Sequence, residues 1–522
     1  MRKRDCEARG MGWFTLTVLL SASAVALVDV GSGAAETVKR GGTLNFARPD
    51  EPLTFDPFVP NDNGSIYALE QVCDSLVEAD STGRGLRPGL AESWDISGDG
   101  LTYTFKIRDA KFSNGDPVTV DDVVFSLQSL ADPKRSMSFI LKPVKSVEAV
   151  DDKHVKVTLS EPYAPMLSAV SVYASGIVHK KTYEASPEKF GSAPMCAGPF
   201  AVESYERGSK VVLVRNPNYW DIAPDGKPYP YLDKIEMQYV PESNTRVLGL
   251  KNGDYDAIST VSFNQAKSLE AGGDLVLEAQ PIFRLDYVYL NHAKKPLDNK
   301  NIRLALNYAA NREAILKAVY FGFGQLPNSY MPVVNFHSDV VPLLPYDIEK
   351  AKKLVQEAGY DGTPIKLMVD TGNAPFHQIA TILQQGWGEA GLKTEIVEFD
   401  VGTAFDMTTK GDYQAYVSYI TSDINDTDEL ATIEADFNAG TSAFFTWYNN
   451  AEVQKMLTEA RSTSDEKKRA DLYAKVQQIV YNDGYSVPLN FVPAVNGLHN
   501  YVKGWKQLAN GWWWLQYVWL DK

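Results

Sequence analysis

The sequence predicts an α/β protein built from more than one domain. Short strands and amphipathic helices interleave along the whole chain. The 522 residues exceed what a single hydrophobic core usually serves. No internal repeat, low-complexity linker or heptad run interrupts the mixture.

In chain order, "LTYTFKIR" (Leu101–Arg108) alternates polar and apolar residues, as a half-buried strand does. "SNGD" follows as a turn with Asn114-Gly115 at its bend. In "TVDDVVFSLQSL", Asp121 and Asp122 resemble a catalytic pair. Thr119 is nevertheless a good N-cap with a carboxylate three residues on, so the pair reads as the start of a helix. "PLDNKNIRLALNYAANREAILKAVYFGFG" predicts one helix with Ile302, Ala305, Leu306 and Ala309 inward. "YDIEKAKKLVQEAGYDG" predicts another, capped by Asp347 and ended by Gly359.

Composition excludes several classes. Arg2, Lys3, Arg4 and Arg9 precede an apolar run over 13–28, and small residues follow with Gly33 and Ala35 at signal-peptidase spacing. Residues 1–35 therefore read as a cleaved signal peptide, because a spanning helix needs about 20 apolar residues. No cysteine sits just after the apolar run, so a soluble periplasmic protein without a lipid anchor is expected. A net charge of −15 disfavours nucleic acid and anionic lipid as partners. The aromatic run Trp512, Trp513, Trp514, Tyr517 and Trp519 suits a sugar or peptide pocket, or a buried C-terminal strand.

The stretch "YITSDINDTDELATIEADF" (419–437) carries Asp423, Asp426, Asp428, Glu429, Glu434 and Asp436. Asp423, Asn425, Thr427 and Glu434 fall at calcium-loop positions one, three, five and twelve. Position six, which must be Gly, is Asp428. The six histidines are scattered, with no H-E-x-x-H. No nucleophile elbow, P-loop or dinucleotide fingerprint occurs. The expectation is no metal, no cofactor and no enzymatic activity. A secreted glycosidase using paired carboxylates is the alternative from another class.

Six ordered blocks carry a resemblance: "GGTLNFARPDEPLTFDPFVPND", "PGLAESWDISGDGLTYTFKIRDAKFSNGDPVTVDDVVFSL", "AGPFAVESYERGSKVVLVRNPNYW", "YLDKIEMQYVPESNTRVLGLKNGDYD", "PLDNKNIRLALNYAANREAI" and "YDIEKAKKLVQEAGY". Together they resemble the extracellular solute-binding proteins of ABC importers, family 5, which carry dipeptides, oligopeptides or nickel. The resemblance implies an α/β, two-lobed periplasmic-binding-protein fold. Lobe I would span 36–282 and 496–522, with an extra subdomain at about 86–203, and lobe II would span 283–495.

It also implies a monomer that encloses a peptide-like or small-molecule solute and delivers it to the transmembrane subunits of a permease. A nickel complex, an opine or an oligosaccharide are alternatives within that class. In peptide-binding members an Asp pairs with the ligand's α-amino group. "YITSDINDTDEL" resembles that stretch and Asp423 is the matching position, with Tyr419 and Ile420 ahead of it. The other reading of Asp423 is a solvated helix cap, while Asp426, Asp428 and Glu429 are expected to face solvent or cap the next helix.

The Arg that takes a dipeptide's carboxylate is missing from "MVDTGNAPFHQIA", leaving His377 as its candidate cation. Lobe I would offer the "PNDNGS" loop (60–65), with Asn63, Gly64 and Ser65, to an extended ligand backbone. An ordinary polar turn is the other reading of that loop. Cys73 and Cys196 both lie in lobe I, which allows a disulfide. "ALEQVCDSL" equally suits a buried helical thiol, and free thiols are expected.

Overall fold

A computed structural model describes residues 37–59, 62–80, 82–135, 137–270, 273–331, 334, 336, 344–439 and 445–522. The expected signal peptide lies outside the described residues, and Lys39–Lys522 forms one unit.

Two parallel three-stranded nuclei organise the chain. In one, Thr43–Arg48 pairs with Lys234–Tyr239 on one side and Ala257–Ile258 on the other. In the second, Ile365–Asp370 pairs with Thr394–Phe399 and Ala415–Thr421. Parallel neighbours need covered crossovers, which is why apolar helices interleave with these strands.

Two long antiparallel strands, Leu275–Leu290 and Ser486–His499, join the nuclei into a ten-stranded sheet. The first part of Leu275–Leu290 pairs with Ser486–His499, which in turn borders Ala257–Ile258 of the first nucleus. Its second part pairs with Ala415–Thr421 of the other. Their register breaks between Pro281 and Leu285. A separate four-stranded antiparallel sheet, Ala91–Ile96, Thr102–Ile107, His154–Leu159 and Val144–Ala149, falls within the stretch expected as an extra subdomain.

Local predictions divide instructively. Val120–Leu130 is a helix with the full capping box of Thr119 and Asp122. Ile348–Glu357 is capped by Asp347, whose side chain accepts from the Lys350 amide. The single helix predicted within 296–324 is two, Lys300–Tyr308 and Arg312–Ala318. Asn311 causes the break, because its side chain caps the second helix by accepting from the Ala314 amide at 3.0 Å. Its inward residues Ile302, Ala305, Leu306 and Ala309 are buried as expected. Trp512, Trp513, Trp514 and Trp519 are buried, but Leu515–Tyr517 is a 3₁₀ turn and no single strand runs through them. Trp513 packs edge-on to Phe46 and Tyr67.

The expectation of free thiols is corrected, because Cys73 and Cys196 form a disulfide across 123 residues. Two backbone hydrogen bonds align the segments, Gly198 N to Val72 O at 2.8 Å and Phe200 N to Gln71 O at 3.0 Å. A Cβ on Gly198 would sit 2.3 Å from Val72 O, so glycine permits this approach. Sequence alone gave no sign of that contact.

Candidate functional site

The two nuclei meet around the end of Ala415–Thr421. Ile424 packs in the core of the Thr43–Arg48 half. The Ala164 amide donates to Arg461 O at 2.8 Å, and the Phe283 amide to Ala509 O at 2.5 Å. The loop 422–426 therefore lies where chain from both halves converges.

Glu429 shapes this loop from beneath. One of its oxygens, Oε2, accepts from Ser422 Oγ at 2.8 Å and from the Asp423 and Ile424 amides at 3.0 Å each. With its backbone held this way, Asp423 has a carboxylate that finds no hydrogen-bond partner among the described residues. Burial pushes the Asp423 carboxyl up, and burial followed by the Asp423 charge pushes Glu429 up. A half-buried carboxylate without a partner favours the approach of a cation.

The other half faces this charge with Tyr67 and Glu70, around the Asn63–Leu69 helix, and with Tyr173. Burial raises the Tyr67 hydroxyl, as do the Asp423 and Tyr419 charges, while Arg48 and Arg284 lower it. Burial raises Glu70 well above the ordinary range, helped by Glu78, Asp74 and Asp423. Tyr173 is raised by burial first and Asp423 next. The site is rich in carboxyl groups and phenol rings, a setting that stabilises a cationic group.

Tyr419 is 39% exposed and lies under the Arg284 guanidinium at 4.2 Å. Ile420 points the other way, 6% exposed in a cluster with Leu285 and Tyr416. Strand alternation allows only one of the pair to reach the cleft, so Ile420 is corrected to a core residue. His377, on the Ala374–Glu389 helix, lies 3.3 Å from Glu398.

Within the 60–65 stretch, the expectation that Gly64 and Ser65 meet a ligand is corrected. Asp62 N-caps the Asn63–Leu69 helix, and Pro60 and Asn61 lie outside the described residues. Asn63 O accepts from Arg48 Nη2 at 3.2 Å. Gly64 has no room for a side chain, since a Cβ would come within 2.6 Å of Glu51 O. Ser65 is fully buried, and its Oγ accepts from the Leu53 amide at 2.8 Å. Gly64 and Ser65 are thus committed to the fold of the helix that leads to Tyr67 and Glu70.

Nor do the remaining carboxylates face solvent. Asp426 caps Thr427–Ala435 as expected, but it is buried against Arg469. Asp428 and Asp436 are buried against Arg461. Sequence reading missed Arg284, Tyr67 and Glu70. The one signal for the first was Arg284 and Asp286 two apart on a strand, hence on one face.

Glu434 is 1% exposed, and neither of its oxygens has a hydrogen-bond partner among the described residues. Burial pushes its carboxyl up from 4.5 to about 8. The folded state then keeps a proton that the unfolded chain has lost. This stabilisation is complete below about pH 4.5 and is lost as pH rises to about 8. Urea midpoints at pH 5 and pH 8 should differ less for Glu434→Gln than for the unmodified protein. Equal differences would remove Glu434 as a source of the pH dependence.

Comparison with known proteins agrees with this architecture. The model for the middle region of the bacterial extracellular solute-binding proteins, family 5, matches residues 85–439. The chain is 29% identical over 537 residues to heme-binding protein A of Haemophilus influenzae, covering 95% of this chain and 97% of that one. It is 27% identical over 447 residues to the glutathione-binding protein GsiB of Escherichia coli K12, covering 84% and 86%. The structure of the Helicobacter pylori periplasmic binding protein DppA, in complex with the peptide STSA, matches with a TM-score of 0.82 and 27% identity, covering 93% of this chain and 99% of that one. The chain therefore belongs to the family 5 extracellular solute-binding proteins, the two-lobed α/β components that capture solutes for ABC importers.

Proposed function

We propose that this protein captures a peptide or peptide-like solute through its free amine and delivers it to a membrane permease. The observation that carries this reading is the half-buried Asp423 carboxylate, without a hydrogen-bond partner among the described residues, near Tyr67, Glu70 and Tyr173. An ammonium group placed there completes a charge-assisted pair away from water. Peptide STSA, bound by the Helicobacter pylori relative, and glutathione, named for the Escherichia coli one, both carry such an amine.

Lobe I comprises 36–282 and 496–522, and lobe II 283–495. The register break between Pro281 and Leu285 is where the strands that join them flex. Contacts that a ligand makes to both lobes favour the closed form by differential affinity. Family members are periplasmic or extracellular. In this reading the predicted leader exports the chain as a soluble monomer with no lipid anchor.

A thermal-shift screen of short peptides, glutathione included, identifies the ligand. At 100 times its dissociation constant a ligand adds about 2.7 kcal/mol of stability. Asp423→Asn keeps size and removes charge, so affinity for the hit should fall by roughly 30- to several-thousand-fold, or about 2–5 kcal/mol. Affinity within about twofold of the unmodified protein would sink the reading.

A further inference from the structure

Arg284 is held by contacts that fix its guanidinium rather than merely cover it. Its Nε and Nη2 donate to the Asp286 oxygens at 2.8 and 3.3 Å. Asp286 is 1% exposed and accepts in turn from Tyr320 Oη at 2.7 Å. The Tyr419 ring supports the guanidinium face at 4.2 Å. Nη1 has no hydrogen-bond partner among the described residues, and the side chain keeps 30% of its exposure. The Nε–Nη2 edge is thus engaged, and the Nη1–Nη2 end, with Nη1 and the second Nη2 hydrogen, is open. An open guanidinium edge fits a carboxylate, which it can bind through two parallel hydrogen bonds.

Strand register ties this edge to Asp423. Arg284 pairs with Thr421, and Asp286 with Tyr419. Partners across strands share a face, so all four side chains line one side of the sheet. Asp423 follows Thr421 by two residues, in the loop that continues this strand. The Tyr67 hydroxyl on the opposite lobe feels both the Asp423 and the Arg284 charge. A negative and a positive group therefore lie on neighbouring parts of the same half, both near the Tyr67 ring. Arg284 also borders the register break between Pro281 and Leu285.

We infer that Arg284 binds a carboxylate of the ligand, so that the solute is a short zwitterion whose amine and carboxylate are both read by lobe II across Tyr419. This rests on the reading of Asp423 as the amine's partner. It gives the chain an anion site on the crossing strand, in place of the cation missing ahead of the Ala374–Glu389 helix. Asp286 acts as a positioning residue, holding the fork with its open edge toward the cleft. An anion bound next to the register break also contacts the segment that joins the lobes.

The test uses a library of two- to five-residue peptides in free, N-acetylated and C-amidated forms, offered to ligand-stripped protein and read by native mass spectrometry. The unmodified protein should capture free forms and reject both modified forms. Arg284→Gln should hold free peptides about 30-fold or more weakly and no longer separate them from amides. Arg284→Lys should restore part of that separation, which a loss of folding would not. Asp423→Asn should instead lose the separation between free and acetylated forms.

If Arg284→Gln still separates free from amidated peptides as the unmodified protein does, the inference is overturned and the Asp423 reading stands. If the unmodified protein accepts amides as readily as free peptides, the inference is likewise overturned. Equal capture of acetylated and free forms by the unmodified protein, or capture of none, overturns the Asp423 reading and this one with it.

Discussion

Arg469→Met should destabilise the protein by about 3–5 kcal/mol, as removal of one partner from a buried ion pair does. Arg469 is 5% exposed and Asp426 3% exposed. Its Nη1 and Nη2 donate to the two Asp426 oxygens at 2.8 and 2.7 Å, and its Nε donates to Ala460 O at 3.1 Å. Tyr473 Oη accepts from Nη2 at 3.1 Å. Methionine fills much of the space but leaves a carboxylate buried without its partner. Asp426→Asn should cost less, since the amide keeps the helix cap on the Asp428 amide and one acceptor toward Arg469.

Replacing both partners with apolar residues should recover much of the loss, which separates the cost of an orphaned charge from the worth of the pair. Urea unfolding of the two single variants and the double variant measures all three. A loss below about 1 kcal/mol for Arg469→Met would mean that water reaches Asp426. Since Asp426 begins the Thr427–Ala435 helix that carries Glu429, ligand affinity should fall with stability.

Removing the disulfide should cost about 4–5 kcal/mol, because a bridge across 123 residues closes a long loop in the unfolded chain. The double variant Cys73→Ser, Cys196→Ser isolates that effect, and reduction of the unmodified protein should reproduce it. Both cysteines are buried, at 4% and 2%, so some of the loss reflects hydroxyl groups placed in an apolar core. Cys73→Ala, Cys196→Ala corrects for this and should retain most of the destabilisation. Superimposable melts of oxidised and reduced protein would refute the assignment. Alkylation of the non-reduced protein should leave both residues unlabelled.

Neighbouring residues in one loop show where sequence reading succeeds. Asp426 was legible as a helix cap because capping depends on residues two or three positions away. Thr119 with Asp122 and Asp347 were legible for the same reason. That Asp426 is also buried against Arg469 depends on a residue far along the chain, which no local pattern encodes. Ile420 was misplaced for a narrower reason. Tyr419 and Ile420 must face opposite sides of a strand, and only the pairing with Leu285 decides which is inward.

By itself the sequence determined the α/β class, the alternation of strand and helix, the caps, most inward-facing helix residues and the family. Each of these rests on spacing within a few residues or on ordered blocks along the chain. The tertiary structure alone decided the Cys73–Cys196 bond, the ion pairs that bury Asp426, Asp428 and Asp436, and the approach of Asp423 and Arg284 to Tyr67. A carboxylate reads the same in a sequence whether it is solvated, paired or left waiting for a ligand. Its role follows from how much water the fold removes and which charge the fold brings near, and both are set by chain segments hundreds of residues apart.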